Sequence, residues 1–282
     1  MELTNINHIK ALLARHGFRF SKSMGQNFLC APWVVEDIVM GAKLEETMGV
    51  LEIGPGIGVL TQQLAKEAAK VVSVELDRSL LPILEETLGD YDNTKIISAD
   101  ILKVDLENLV KEEFSGLKPV VCANLPYNIT SPVVTKLIDS GLFSEITIMV
   151  QREVARRMCA KPATADYSAF SLYIDYHCQG EILFDIPPEA FIPAPKVYSS
   201  VVRLCKRKEP GVNVDEKALF QLIKIAFSQR RKTLVNNIMS SNLQLEKEQV
   251  VVALEQMGLD ARIRGEALGL EQFAQLVQKL SI

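Results

Sequence analysis

The chain has 282 residues, enough for one large domain with a small one or for two domains of ordinary size. Hydrophobic residues make up 48% and charged residues 23% of the sequence, as is ordinary for a globular protein. No apolar run is long enough to cross a bilayer, and the amino terminus lacks the apolar segment of a secretory signal. We therefore expect a soluble cytoplasmic protein with no membrane partner.

The cysteines and histidines are scattered and form no recognisable motif. An odd number of cysteines, five, with no C-x-x-C pair argues against both a disulfide framework and a zinc site. None of the three histidines lies at ligand spacing from a cysteine. We therefore expect no metal site.

Strand-like and helix-like segments alternate through the first half of the chain. Residues 1–17 have the periodicity of a short amphipathic helix, which we interpret as a helical amino-terminal extension. Short β-branched runs then alternate with segments of helical spacing, and they predict strands at 49–54, 70–76, 95–100, 119–124 and 145–151. Nearly continuous apolar strands that alternate with helices indicate a mainly parallel sheet with helices on both faces.

Two further strands are predicted, at 170–177 and 199–206, with no clear helix between them. An antiparallel addition at one end of the sheet follows, which gives a Rossmann-like α/β fold with seven strands. After Lys208 a turn-rich linker leads into a segment that is helical to the end. We therefore predict an α/β catalytic domain over 1–208 and a small all-α domain over 209–282.

The sequence "EIGPGIGVLT" (52–61) lies where the first strand turns into a helix. Gly54, Gly56 and Gly58 allow a sharp turn and a close approach of the backbone to a ligand. The dinucleotide fingerprint is G-x-G-x-x-G, and here the third glycine comes one residue early. This spacing disfavours NAD and favours the turn of S-adenosylmethionine-binding proteins. A simple strand–helix corner is the alternative.

Acidic residues end the second and third predicted strands. Glu75 is placed to accept both ribose hydroxyls of a nucleoside cofactor, and a solvated strand end is the alternative. Asp100 is placed to accept a hydrogen bond from an adenine amino group, with Ile101 as an apolar wall. A helix cap is the alternative for Asp100. A glycine turn, a Glu and an Asp at successive strand ends predict one crevice for a nucleoside cofactor.

The fourth strand ends in "NLPYNITSP" (124–132). The exocyclic amine of a base is a poor nucleophile because its lone pair is delocalised into the ring. Acceptance of its hydrogens by the Asn124 side chain and the Leu125 carbonyl would turn the lone pair toward a methyl donor. Pro126 would hold the loop, and Tyr127 would stack on a base taken out of its helix. The alternative is a proline turn with a packed tyrosine.

Basic residues are clustered although the net charge is −4. A protein that contacts phosphates needs a basic face rather than a basic average, and solvated helix faces are the alternative. An amino-terminal run from Lys10 to Lys22 and a group from Arg203 to Lys208 are among the clusters. The predicted RNA contacts are Arg152, Arg156, Arg157, Lys161, Arg230, Arg231 and Lys232.

Together these motifs resemble the KsgA (RsmA) family of ribosomal RNA adenine dimethyltransferases, which is related to the Erm resistance enzymes. "N-L-P-Y" resembles the (N/D)-P-P-Y motif of amino-group methyltransferases. The resemblance runs nearly end to end, through "KSMGQNFL" (22–29), "EIGPGIGVLT" (52–61), "VELD" (74–77), "NLPYNITSP" (124–132), "VQREVARRM" (150–158), "FIPAPKVYSSVVRL" (191–204) and "RRKTLVNNI" (230–238).

The resemblance implies a class I methyltransferase domain that uses S-adenosylmethionine, followed by a helical domain. Its implied substrate is a pair of adjacent adenosines in the 3′-terminal hairpin loop of 16S rRNA, within the small ribosomal subunit or its precursor. Each would be dimethylated during subunit biogenesis. We expect the protein to be a monomer. The resemblance implies cofactor contacts at Asn27, Leu29, Gly54, Glu75, Asp100 and Asn124. We add their neighbours Gly56, Leu76 and Ile101 to the predicted contacts.

Two positions in the "FIPAPKV" region bear on the target base. Phe191 resembles the second aromatic that sandwiches the target adenine opposite Tyr127, and a core phenylalanine before a proline turn is the alternative. Tyr198 departs from the family, which more commonly has an acidic residue after "PKV".

Three other functions fit parts of the sequence. An Erm-like enzyme would act on 23S rRNA of the large subunit. A DNA amino-methyltransferase uses similar strand-end chemistry but usually needs a separate target-recognition region, for which 209–282 is small. A mainly non-enzymatic assembly factor of the small subunit is the third, and the complete set of cofactor residues argues against loss of activity.

Overall fold

A computed structural model describes residues 3–20 and 26–282. The first part of the block 22–29 and Lys22 of the amino-terminal basic run lie outside the described residues. The strands are β1 Phe28–Leu29, β2 Met48–Ile53, β3 Lys70–Glu75, β4 Thr94–Ser98, β5 Lys118–Asn124, β6 Glu145–Gln151, β7 Cys178–Ile186, β8 Phe191–Ile192 and β9 Ser199–Lys206. The helices are α1 Ile6–Arg15, α2 Pro32–Ala42, α3 Val59–Glu67, α4 Leu81–Leu88, α5 Leu106–Glu113, α6 Thr130–Ser140, α7 Arg152–Met158, α8 Ala169–His177, α9 Glu216–Ala226, α10 Leu234–Met239, α11 Lys247–Gln256 and α12 Leu270–Leu280.

The main sheet has seven strands in the order β4-β3-β2-β5-β6-β9-β7. The pairs from β4 to β6 are all parallel, and β9 runs antiparallel to β6. The central strand β2 is buried along its whole length, as expected for a strand covered on both faces. The predicted parallel sheet with an antiparallel addition is thus present, and the carboxyl ends of β2, β3, β4 and β5 meet at one edge.

The predicted strand at 170–177 is wrong, because this segment is helix α8. Its aromatic and β-branched residues favour a strand by propensity, but tertiary packing overrides that preference. Leu172 and Tyr176 are four residues apart, as on one helix face, and both are buried in the helical core. The seventh strand is instead β7, whose mostly exposed residues carry no regular apolar alternation.

A small second sheet joins two segments that are far apart in the sequence. The strands β1 and β8 pair antiparallel, with Phe28 opposite Ile192 and Leu29 opposite Phe191. This pairing, which the sequence did not predict, places the "NFL" block directly beside the "FIP" block.

Contacts divide the chain into two compact units, 1–155 with 181–206 and 156–180 with 207–282. The first unit contains the sheet. The second contains α8 to α12, packed around a core that includes Leu219, Leu254 and Phe273. That 156–180 belongs to this helical unit was not predicted from the sequence, and the division into domains at 208 stays a prediction. Within the described ranges, no helix is long and apolar enough to span a bilayer.

Helix α8 offers a test of the corrected assignment. The buried Ser171 hydroxyl donates to the Arg157 carbonyl at 2.5 Å, and its oxygen accepts the Ser168 N–H at 3.1 Å. We expect Ser171→Ala to lower the free energy of unfolding by about 1–3 kcal/mol in urea titrations, because it leaves a carbonyl and an amide unpaired. The matched control is Ser228→Ala, which removes an exposed hydroxyl bonded to the Ile225 carbonyl. Equally small losses in both variants would contradict this account.

Candidate active site

A pocket lies at the sheet edge where β2, β3, β4 and β5 end. All of the predicted cofactor contacts line it, together with most of the predicted amine-binding loop. These lining residues are Asn27, Leu29, Gly54, Gly56, Glu75, Leu76, Asp100, Ile101, Asn124, Leu125, Pro126 and Tyr127. The fold therefore gathers five separate segments of the sequence at one place.

The glycine turn after β2 has the backbone that its sequence requires. Gly54 and Gly56 have positive φ angles of 69° and 61°, which side chains other than glycine rarely adopt. The Gly54 N–H donates to the Val74 carbonyl at 2.9 Å, which ties the turn to β3. A Cβ at Gly56 would lie 3.0 Å from the Phe28 ring, a close contact that adds to the strain of the positive φ.

Glu75 links the end of β3 to the glycine turn. Its carboxylate accepts the Asp77 N–H at 2.8 Å and the Gly56 N–H at 3.4 Å. The side chain is buried, and this burial raises the pKa of Glu75 to about 6. The carboxylate is thus fixed in the pocket wall, where it can accept hydrogen bonds from a ligand.

Glu52 is a pocket residue that the sequence analysis missed. It is 1% exposed, and one carboxylate oxygen accepts the hydroxyls of Thr61 and Ser73, both at 2.7 Å. Burial raises its pKa to about 7, and the charge of Glu75 adds to the rise. The signal was present in the sequence, because Glu52 is a carboxylate within an otherwise apolar predicted strand.

Asp100 lies in a local turn at the end of β4. Its carboxylate accepts the Leu102 N–H at 3.0 Å and lies 3.7 Å from the Lys103 ammonium. This contact belongs to a turn and is not a helix cap, because the next helix, α5, begins at Leu106 with Asp105 as its N-cap. The Asp100 side chain also lines the pocket. Beside it, Ile101 is buried and provides an apolar wall.

The loop after β5 is held from several sides. The Asn124 amide nitrogen donates to the Asn27 carbonyl at 3.5 Å, and this contact orients the amide so that its oxygen is left as an acceptor. The Leu125 N–H donates to the Met149 carbonyl at 3.1 Å. The Thr130 hydroxyl donates to the Pro126 carbonyl at 3.2 Å.

Tyr127 is fixed by its hydroxyl rather than by a packed ring alone. The hydroxyl shares a hydrogen bond of 2.6 Å with that of Ser199, the first residue of β9. Burial raises the pKa of the Tyr127 phenol, so it stays protonated at neutral pH. The ring lines the pocket.

Phe191 does not line this pocket. It is 3% exposed and packs in the hydrophobic core of the first unit. In this position its ring offers almost no surface to a base, as expected from the alternative of a core phenylalanine. A stacking role for Phe191 stays a prediction that requires the ring to leave the core.

The predicted RNA contacts lie at the protein surface, in both compact units. Arg152 is in the first unit, where its guanidinium lies 4.5 Å from the centroid of the Tyr198 ring. Arg230 in the second unit donates to the Ala165 carbonyl at 2.9 Å and lies 3.7 Å from Glu266. Of the predicted contacts in that unit, Arg157 is half-buried, and those that are exposed are Arg156, Lys161, Arg230, Arg231 and Lys232.

Comparisons with known proteins agree with this geometry. The profile of the family described as "Ribosomal RNA adenine dimethylase" matches residues 17–280. A "Ribosomal RNA small subunit methyltransferase A" from Alkaliphilus metalliredigens is 47% identical over 274 residues, covering 96% of each chain.

Two solved structures share the fold. A dimethyladenosine transferase from Plasmodium falciparum is 25% identical with a TM-score of 0.75, covering 90% of this chain and 97% of that one. The 23S rRNA methyltransferase ErmE is 25% identical with a TM-score of 0.71, covering 91% of this chain and all of that one (100%). The predicted Rossmann-like methyltransferase fold with a helical carboxyl-terminal part is confirmed.

The buried carboxylate of Glu52 predicts a pH dependence of stability. Its pKa in the folded protein, about 7, lies above the ordinary value of 4.5. The folded protein therefore keeps a proton that the unfolded chain has released, and the free energy of unfolding falls as pH rises from about 4.5 to 7. We expect Glu52→Gln to reduce this fall by up to about 3 kcal/mol in urea titrations at a series of pH values.

Glu113 is the matched control for this titration. Hydrogen bonds from Lys70 and Lys95 lower its pKa, so its contribution is lost only as pH falls through that lowered value. Glu113→Gln should leave the slope between pH 5 and 8 unchanged. A Glu52→Gln slope equal to that of the parent protein would refute the assignment.

Proposed function

The chain belongs to the ribosomal RNA adenine dimethylase family, and from this premise we propose that it dimethylates two adjacent adenosines in the 3′-terminal hairpin loop of 16S rRNA. S-adenosylmethionine supplies the methyl groups, and the modification belongs to biogenesis of the small ribosomal subunit. The main support is that the Asn124–Tyr127 loop lines the same pocket as the glycine turn and Glu75. An amine acceptor thus lies beside residues suited to a nucleoside cofactor.

The pocket residues fit S-adenosylmethionine by their chemistry. Glu75 carries two carboxylate oxygens that suit the ribose hydroxyls, and Asp100 with the apolar Ile101 suits an adenine ring. The backbone of the Gly54–Gly56 turn leaves room for close approach of the methionine portion. At neutral pH Glu75, whose pKa is about 6, places negative charge within this pocket, which favours a ligand whose sulfur is cationic.

The loop after β5 orients the target amine. The Asn124 amide oxygen and the Leu125 carbonyl accept the two amine hydrogens, so that the nitrogen lone pair is directed at the methyl group. Tyr127 stacks on the extruded adenine, and its bond to Ser199 keeps the ring in place. Positioning supplies most of the rate enhancement, and the amine sheds its proton to water after transfer.

Surface cations of the second unit bind the phosphates of the rRNA. Arg156, Lys161 and the Arg230–Lys232 group are exposed, as phosphate contacts must be. Their contribution is independent of base sequence and decreases with salt concentration.

Similarity to ErmE supports one alternative, namely methylation of 23S rRNA in the large subunit. The relative at 47% identity carries a small-subunit name, which favours 16S rRNA.

Mass spectrometry of digested RNA distinguishes methylation of 16S rRNA from methylation of 23S rRNA. Purified small and large subunits lacking dimethyladenosine are each incubated with the protein and S-adenosylmethionine. Dimethyladenosine in the 3′-terminal hairpin of 16S rRNA supports the proposal. Modification of 23S rRNA alone, or of neither RNA, overturns it.

We expect Asn124→Ala to reduce methyl transfer by at least about 100-fold, because the amine is no longer oriented. Binding of S-adenosylmethionine, measured by calorimetry, should change little. Asn108→Ala removes an exposed amide in α5 of the same unit and is the control. Turnover by Asn124→Ala close to that of the control would refute the role of Asn124.

We expect Glu75→Gln to weaken binding of S-adenosylmethionine by about 10- to 100-fold, because a charged acceptor of two hydrogen bonds is lost. The affinity of the parent protein should also fall as pH drops below about 6, where Glu75 takes up a proton. Glu107→Gln, at an exposed position of α5, is the control. Calorimetry that finds equal affinities for the two variants would exclude the ribose contact.

A further inference from the structure

We propose that Tyr198 and Arg152 form a stacking platform for the RNA base next to the target adenosine. This inference rests on the proposed function and extends it, because it assigns recognition of a neighbouring nucleotide to a surface outside the pocket. The platform is defined as the ring of Tyr198 with the guanidinium of Arg152 against one of its faces.

The two side chains are held together before any RNA binds. The Arg152 guanidinium carbon lies 4.5 Å from the centroid of the Tyr198 ring, and the Arg152 N–H donates to the Tyr198 carbonyl at 3.0 Å. Asp185 lies 3.9 Å from the same guanidinium. Because the ring is anchored in this way, its position costs little conformational entropy when a base stacks on it.

A large part of Tyr198 remains open to solvent. The residue is 43% exposed, and the preceding Val197 is 44% exposed. This exposed surface of Tyr198 remains accessible although Arg152 lies against the ring. An exposed, anchored aromatic beside an apolar neighbour suits the face of a nucleobase, and base–aromatic stacking is tolerant of base identity.

The platform is connected to the pocket by Ser199, which is hydrogen-bonded to Tyr127. Tyr198 directly precedes the buried Ser199, whose hydroxyl is 2.6 Å from that of the pocket residue Tyr127. Ser199 is also paired with Gln151, the residue before Arg152, in the β6–β9 register. Tyr198 is thus one residue along the chain from the partner of Tyr127, and the platform assigns the nucleotide adjacent to the bound adenosine to this position.

The charges around Arg152 favour this role over a simple phosphate contact. Its guanidinium is shared between the Tyr198 ring and the Asp185 carboxylate, so much of its charge is already compensated. A cation against the ring strengthens the platform through the cation–π interaction. We therefore assign Arg152 as the partner of Tyr198 in base stacking.

The test measures binding of the full-length protein to a synthetic RNA hairpin with two adjacent adenosines in its loop. In matched hairpins the nucleotide on one side or the other of the pair is abasic. We expect Tyr198→Ala to weaken binding of the intact hairpin by about 5- to 100-fold. The parent protein should bind one of the two abasic hairpins more weakly than the intact hairpin, by a similar factor. Tyr198→Ala should bind that abasic hairpin as well as it binds the intact one.

Two variants control for loss of structure. Tyr198→Phe keeps the ring and should bind the intact hairpin within about twofold of the parent protein. Trp33→Ala removes another exposed aromatic from the same unit, one that packs on Phe184, and should leave RNA affinity unchanged. The platform is wrong if Tyr198→Ala and Trp33→Ala lose RNA affinity equally. It is also wrong if the losses of affinity from Tyr198→Ala and from the abasic nucleotide are additive.

The platform and the proposed function fail in different ways. If the parent protein dimethylates 16S rRNA while Tyr198→Ala matches it in RNA affinity and in turnover, only the platform is wrong. If the parent protein modifies no adenosine, the proposed function itself is wrong. Affinity for S-adenosylmethionine should be the same in all of these variants, because Tyr198 does not line the pocket.

Discussion

Parallel pairing of the central strands is the constraint on which the candidate site depends. Strands β2, β3, β4 and β5 run in the same direction, so the residues that follow them meet at one edge of the sheet. Strand β2 is flanked by β3 on one side and by β5 on the other, so the strand order reverses at β2. A crevice opens at the carboxyl ends of the strands where the order reverses, and nucleotide-like ligands commonly bind there in such sheets. Polar residues that would be unfavourable inside the strands are stable at this edge.

Negative charge within the pocket connects stability with the proposed activity. Glu52 and Glu75 are buried, and burial raises the pKa of each. Their ionised forms therefore lower the stability of the unliganded protein near neutral pH, and a cationic ligand offsets that cost. Hydrogen bonds from Thr61 and Ser73 reduce the penalty for Glu52 without removing it. The buried carboxylates of this pocket are thus preorganised at the expense of folding free energy.

Segments that are distant in sequence complete the wall of the pocket. The β1–β8 pair fixes the backbone beside Asn27, and the Asn27 carbonyl in turn accepts a hydrogen bond from Asn124. On the opposite side of the loop, β9 provides Ser199 for the Tyr127 hydroxyl. The loop after β5 is consequently held by contacts with three other parts of the first unit, at Asn27, Met149 and Ser199. Such support limits the motion of groups that must be positioned closely for transfer.

The sequence by itself determined the parallel strands β2 to β6, the glycine turn and the set of predicted cofactor contacts that line the pocket, because these depend on local patterns at strand ends. Apolar periodicity and the position of polar residues at each strand end are sufficient to predict which side chains share an edge. The tertiary structure alone decided that 170–177 is helical, that Phe191 is buried and that Glu52 lies in the pocket. It also decided the pairing of Arg152 with Tyr198. Each of these depends on contacts between residues distant in sequence, whose burial and packing override local propensity.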